Sequence, residues 1–148
     1  MTIYTDGSAL AYCNCGGWAY VREDGRARSG AVEHAGSNQM ELWAVLEAIA
    51  SLPRKGAVVI YTDSKYVIDG SHGGKSGELW EEFYLWQQIH EIKLLKVRSH
   101  PSHTKAHHLA REAVFALQSK STVIERVTSR SSKTRRKKRS RKSSQSWF

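Results

Sequence analysis

Long apolar runs are missing from this chain of 148 residues: no stretch approaches the length of a membrane span, which argues against an integral membrane protein. The opening segment, Met1 to Leu10, lacks the basic stretch followed by an apolar one that marks a secretory leader. Cysteine is scarce. Cys13 and Cys15 stand one residue apart, a bridge that short is expected to be strained, and no paired Cys-x-x-Cys suggests a zinc site. The expectation is a cytoplasmic protein whose two thiols are reduced and inert. Acidic residues are absent from 126–148, which carries ten Lys/Arg. The remaining 13 Lys/Arg and 14 Asp/Glu leave residues 1–125 with a net charge of −1, so the overall +9 belongs to the end of the chain. That segment also has little to bury, and it reads as a disordered basic tail whose natural partner is a polyanion, through counterion release from phosphates. Trp147 and Phe148 suit stacking on bases and equally suit a frayed end with no role.

What is present is a regular alternation of strands and helices over residues 1–120, leaving 121–148 as the tail. Met1–Asp6 reads as a short strand. Segments 16–23 and 27–35 read as two more, joined by the hairpin signal Asp24-Gly25. Asn38 to Leu52 reads as a helix, with Leu42, Val45, Leu46 and Ile49 at helical spacing and Pro53 as its stop. Ala57–Asp63 is an apolar run suited to a central strand covered on both faces, and Ser64 suits the N-cap of the short helix after it. A glycine-rich joint, 70–77, leads into an aromatic helix over 78–90. A strand over 92–99 and a helix over 102–119 follow, with Ala106, Leu109, Ala110, Ala113 and Leu117 on the helix's buried stripe. Three strands on short connections predict an antiparallel meander, and the later strand–helix–strand passages predict parallel crossovers. The fold class is α/β: a five-stranded mixed sheet flanked by helices.

Three carboxylates need explaining. Asp6 and Asp63 close apolar strands in Ile-Tyr-Thr-Asp-Gly-Ser and Val-Ile-Tyr-Thr-Asp-Ser, at the strand ends where open α/β sheets place ligands. Glu41 is read into the first turn of its helix, on the apolar stripe continued by Val45, Ala48 and Leu52, where an acid is costly without compensation. A pair of divalent cations would compensate all three. Thr-Asp-Gly and Thr-Asp-Ser are also good turn sequences, and Glu41 also fits a capping box opened by Asn38.

These segments, with Asn-Gln-Met-Glu-Leu between them and Val-Arg-Ser-His and His-Leu-Ala-Arg after them, resemble the ribonuclease H type 1 family in order and spacing over roughly residues 2–118. The resemblance implies a ribonuclease H-like fold and hydrolysis of the RNA strand of RNA–DNA hybrids. It implies two ions, Mg²⁺ or Mn²⁺, held by four acidic positions, with 5′-phosphate and 3′-hydroxyl products. Asp6, Glu41 and Asp63 match the first three positions. His107 falls where the family usually has the fourth aspartate, with His108 as the neighbouring alternative. An imidazole there brings no negative charge and suits Mn²⁺ or Zn²⁺ better than Mg²⁺. His100 matches the family's mobile histidine, which assists water deprotonation or product release. His103 has a weaker claim, and the four histidines together match no common zinc module.

For the substrate, the resemblance assigns Asn38, beside Gln39, to a sugar contact. Gly7 and Gly17 are candidates for close approach to the RNA, and Lys65 for a phosphate contact in place of the usual glutamine. Tyr12 and Gly36 stand where many members have polar residues of a DNA-phosphate pocket. The basic protrusion of many bacterial members is missing, and the tail is expected to take over its charge. Trp43 and Trp86 are expected in the core and Trp80 nearer the substrate. A monomer without membrane contact is expected. Two alternatives stay open: a hybrid- or duplex-binding module without turnover, and a DNA nuclease of related fold.

Overall fold

A computed structural model describes residues 1–120; the basic tail lies outside the described residues. The chain runs β1 (Thr2–Leu10), β2 (Cys15–Arg22), β3 (Ala27–Glu33), α1 (Ser37–Ala50), β4 (Ala57–Thr62), α2 (Lys65–Gly70), α3 (Glu78–Ile89) and β5 (Glu91–Lys96). A last helix, α4, covers residues 101–120. The strands form one sheet in the order β3-β2-β1-β4-β5. β1 pairs antiparallel with β2, and β2 with β3, while β4 lies parallel to both β1 and β5, as the connection lengths require. Among the described residues no helix is long and apolar enough to cross a membrane.

Side chains alternate across a strand, and β2 shows what each sheet face meets. Trp18 and Tyr20 join the main core with Met40, Leu42, Val45, Leu46 and Ile49 of α1 and Trp80 and Phe83 of α3. Ala19 and Val21 face the other way, onto Ala106 and Ala110 of α4. The strand covered on both faces is therefore β2, buried at every position, rather than β4, which buries Val58, Ile60 and Thr62 on one side only. Gly17 permits this. A Cβ there would overlap the Ala110 carbonyl oxygen, so glycine lets α4 lie directly on β2. The helix thus takes up the close approach at Gly17 that sequence reasoning assigned to RNA.

The β2–β3 turn follows its sequence. Gly25 takes φ +89°, and Asp24 accepts from the Arg26 backbone N–H at 3.1 Å and the Arg22 guanidinium at 2.6 Å. Arg22, buried, also donates to the Ser51 carbonyl at 2.8 Å, tying the hairpin to the end of α1.

Three expectations need correction. β1 does not stop at Asp6 but continues to Leu10, because pairing with β2 persists from Asp6↔Ala19 to Leu10↔Cys15. Glu41 is not in the first turn of α1 and no capping box forms: the N-cap is Gly36, so Glu41 lies a turn further on and Asn38 caps nothing. The two cysteines are not free. The turn between β1 and β2, with Asn14 at φ +50°, brings the Cys13 and Cys15 Cα atoms to 5.3 Å, within the range of a disulfide, and the sulfurs are bonded.

Candidate active site

Parallel pairing of β1 with β4 ends at Tyr4↔Tyr61. Beyond that pair the strands part, β1 continuing beside β2 and β4 turning into α2. Asp6 and Asp63 flank the opening, which is why the sequence places a carboxylate two residues beyond each partner of the last pair. Asp6 is buried, at 2% exposure, whereas half of the Asp63 side chain is exposed. The Thr62 hydroxyl accepts from the Ser64 backbone N–H at 3.1 Å, and the Ser64 hydroxyl from that of Val67 at 3.2 Å, fixing the turn that carries Asp63.

Glu41 reaches the same point from α1. A Cβ on Gly7 would stand 2.5 Å from the Glu41 nitrogen and 2.6 Å from the Met40 carbonyl carbon. The bare Gly7 backbone lets α1 lie against β1, and its amide opposes the upward shift of the Glu41 carboxyl. This is a structural reason for Gly7 beside its suggested RNA contact. Burial, and then the negative charges of Asp6 and Asp63, push the Glu41 carboxyl up to about 9. Its Oε2 is buried without a hydrogen-bond partner.

The positive side comes from α4. His107 Nδ1 lies 2.7 Å from Asp6 Oδ2. His103, one helical turn earlier, places Nε2 3.7 Å from Asp6 Oδ1 and 3.9 Å from Asp63 Oδ2. Donor atoms of Asp6, Asp63 and His103 all lie within 4.8 Å of one another. Burial acts to raise the Asp6 carboxyl, but the bond to His107 and the two imidazoles facing it outweigh that, so Asp6 is held below the usual carboxylate range. Contact with Asp6 raises His103 in turn, against burial. The result is a negatively biased cup with two imidazoles, able to hold divalent cations against a phosphodiester. Its three carboxylates fit such a charge: one is already forced to keep its proton for want of a counterion, and one of its oxygens points at no partner.

Of the sequence-derived site residues, the fold brings Asp6, Glu41, Asp63 and His107 together and adds His103. The signal for His103 was present: it precedes Ala106 by three residues and Ala110 by seven, on the helix face that meets the sheet. His100 sits at the start of α4, where its ring stacks on Tyr4 with centroids 4.2 Å apart and its Nδ1 accepts from the Ser102 N–H at 3.1 Å. Tyr4 shares the Asp6 face of β1, two residues before it, so His100 stands beside the cup. Tyr4 itself was not foreseen. Asn38 and Gln39 line a groove of about 760 Å³ with Gly36, Tyr66 and Trp80. Trp80 is both a core residue and a wall of that groove, its Nε1 donating to the Tyr66 hydroxyl at 2.9 Å. Trp43 and Trp86 pack against the core as expected. Lys65 is exposed at the first position of α2, and Tyr12 is exposed, donating to Gln118 Oε1 at 3.0 Å.

Comparison with known proteins agrees with this architecture. A family profile described as RNase H matches residues 1–115. A ribonuclease H of Rhodopirellula baltica is 33% identical over 141 residues, covering 78% of this chain and 89% of its own. A ribonuclease HI of Campylobacter jejuni is 31% identical, covering 78% and 91%. A ribonuclease H of Bradyrhizobium diazoefficiens is 30% identical, covering 84% and 96%.

Proposed function

The chain belongs to the RNase H family, and on that footing we propose that it is an endonuclease hydrolysing the RNA strand of RNA–DNA hybrids. It uses two divalent ions, Mg²⁺ or Mn²⁺, leaves 5′-phosphate and 3′-hydroxyl ends, and works as a monomer in the cytoplasm. The observation that carries this reading is the cup itself: three carboxylates from β1, α1 and the end of β4 converge where β1 and β4 part, with Glu41 Oε2 buried and unpartnered.

Asp6, Glu41, Asp63 and His107 hold the ions. Bound divalent cations supply charge for the phosphate in the transition state and acidify a water. Asp6, sheltered by β1, β2 and α4, keeps its charge at neutral pH because the histidines hold its proton affinity down. Glu41 gives up its proton when positive charge arrives, so occupancy is coupled to pH. His100, stacked on Tyr4 beside the cup, serves as the proton-accepting or product-releasing imidazole. The groove at the start of α1 is offered as the hybrid's path. Asn38 and Gln39 donate to sugar oxygens there, and Lys65 pairs with a phosphate at the start of α2. Tyr12, exposed near the end of α4, is a further backbone contact, as is the Gly7 segment. The basic tail engages phosphates outside the cut site.

The test is cleavage of an end-labelled RNA–DNA hybrid with Mg²⁺ or Mn²⁺, comparing native protein with Asp6→Asn. Metal-dependent cutting of RNA alone, lost by more than about a hundredfold in Asp6→Asn, is expected from loss of a central ligand. The second reading, a binding module without turnover, rests on the imidazole of His107 occupying a carboxylate's place 2.7 Å from Asp6. Tight hybrid binding with no cutting in either metal would favour it. Cutting of duplex DNA or junctions instead would favour a DNA nuclease.

A further inference from the structure

Two histidines one turn apart on one helix face are a strong metal-binding arrangement, because both imidazoles project to the same point. His103 and His107 stand in this relation on α4, and both face Asp6. His107 already bonds it. The position of His103 is less easily explained by hydrogen bonding. Its Nε2 is shut off from solvent, has no hydrogen-bond partner, and stands 3.7 and 3.9 Å from one oxygen each of Asp6 and Asp63. Those separations are too long for hydrogen bonds. They are close to the distance of about 3.4 Å between two donors that share one tetrahedral ion at about 2.1 Å each.

We propose that His103, His107, Asp6 and Asp63 form a two-imidazole, two-carboxylate site that takes a later first-row transition ion (Co²⁺ or Zn²⁺, and more weakly Mn²⁺) in preference to Mg²⁺. The proposal rests on the metal-dependent reading of the same cup and adds to it a fifth side chain, His103, as a direct ligand. The chemistry of the donors carries the selectivity. Neutral imidazole nitrogens suit Zn²⁺, Co²⁺ and Mn²⁺, whereas Mg²⁺ takes oxygen ligands and retains water. Glu41, across β1 on the α1 side, has no imidazole beside it and provides the all-oxygen part of the cup. The two sides of the cup therefore differ in the ion they favour.

The experiment uses the full chain, stripped of metal and without substrate. Co²⁺ is titrated in while its visible absorption is followed, and the protein loaded with one equivalent of Mn²⁺ is examined by pulsed electron paramagnetic resonance for directly bound nitrogen. Native protein is expected to bind one Co²⁺ with the intense bands of a low-coordinate site, and to show two nitrogen couplings to Mn²⁺. His103→Ala should weaken Co²⁺ binding at least about tenfold, dim the bands and leave one nitrogen coupling, while Mg²⁺ affinity stays within about twofold. A single nitrogen coupling in the native protein, or an unchanged Co²⁺ spectrum in His103→Ala, overturns the proposal. The native-protein resonance measurement does not depend on the variant folding. Hybrid cleavage is assayed separately: no cleavage with two nitrogen couplings present refutes the nuclease reading and leaves this site standing, and cleavage with one coupling does the reverse.

Discussion

Glu41→Gln should stabilise the metal-free protein, by an amount that depends on pH. The Glu41 carboxyl is pushed from an ordinary 4.5 to about 9 by burial and by the charges of Asp6 and Asp63. A carboxyl raised in this way is protonated in the folded state at pH values where the unfolded chain has already lost the proton. Folding therefore takes up a proton between these limits, and stability falls as pH rises from about 4.5 toward 9 at about 1.4 kcal/mol per unit. Integrated to pH 7, the loss is at most about 3 kcal/mol, and its ceiling near pH 9 is about 6 kcal/mol. Glutamine has nearly the same shape, keeps an oxygen toward the Gly7 amide and does not titrate. Urea denaturation in the presence of a chelator, at pH 5, 7 and 8.5, should show the two proteins nearly equal at pH 5 and the variant increasingly ahead above it. Saturating Mn²⁺ should reverse the order, because only the ionised glutamate gains from the ion. A difference that stays flat across the three pH values, within the scatter of about 0.5 kcal/mol expected of a neutral substitution, would refute the placement of Glu41 against the two aspartates.

Gly17→Ala should destabilise the protein by about 1–3 kcal/mol in the same denaturation assay, because its methyl overlaps the Ala110 carbonyl and α4 must lift from β2. His107→Asp should lower metal-free stability by about 1–3 kcal/mol, since it replaces a 2.7 Å bond to Asp6 with a like charge, while raising Mg²⁺ affinity and recovering stability when Mg²⁺ is added. Deleting residues 126–148, with their ten basic residues, should weaken hybrid binding about tenfold or more at low salt and flatten its dependence on salt; unchanged affinity and slope would show that the tail takes no part.

Most of the fold was legible because the pattern at each level pointed the same way. The Asp24-Gly25 turn, the helical spacing in α1 and the Ser64 cap each predict a local geometry that the packing keeps. What was not legible depended on partners distant in sequence. β1 passes Asp6 without ending because β2 is there to pair with it, and nothing between Met1 and Leu10 records that. Complete burial of β2 follows from α4, which lies some ninety residues away in the chain, and Gly17 reads as a nucleic-acid contact until that helix is known to rest on it. The capping box at Asn38 is locally plausible but fails because the helix starts at Ser37, under Gly36, which places Asn38 inside its first turn. At the site, the three carboxylates and His107 were readable from their motifs. His103 was undervalued although the helix read over 102–119 already contained it, because its approach to Asp6 and Asp63 depends on how α4 packs across the sheet.

The two histidines also account for how a cup of three carboxylates holds together before any ion arrives. Asp6 is the most deeply buried of the three, and a buried charge without a partner would be expected to take up a proton, as Glu41 does. It does not, because His107 and His103 face it. The pair stabilises over a defined window. Asp6, held below its ordinary range, contributes above that range and is lost as pH falls through its lowered value. His103, held above 6.5, contributes fully below that value and is lost as pH rises through its raised one. Glu41 penalises folding by an amount that grows as pH rises from about 4.5 toward 9. The metal-free protein is therefore most stable in mild acid and progressively less so toward neutrality and above. That is the range in which ionised Glu41 and a neutral His103 imidazole become available as ligands, so the conditions that weaken the cup without an ion are those under which it holds one most tightly.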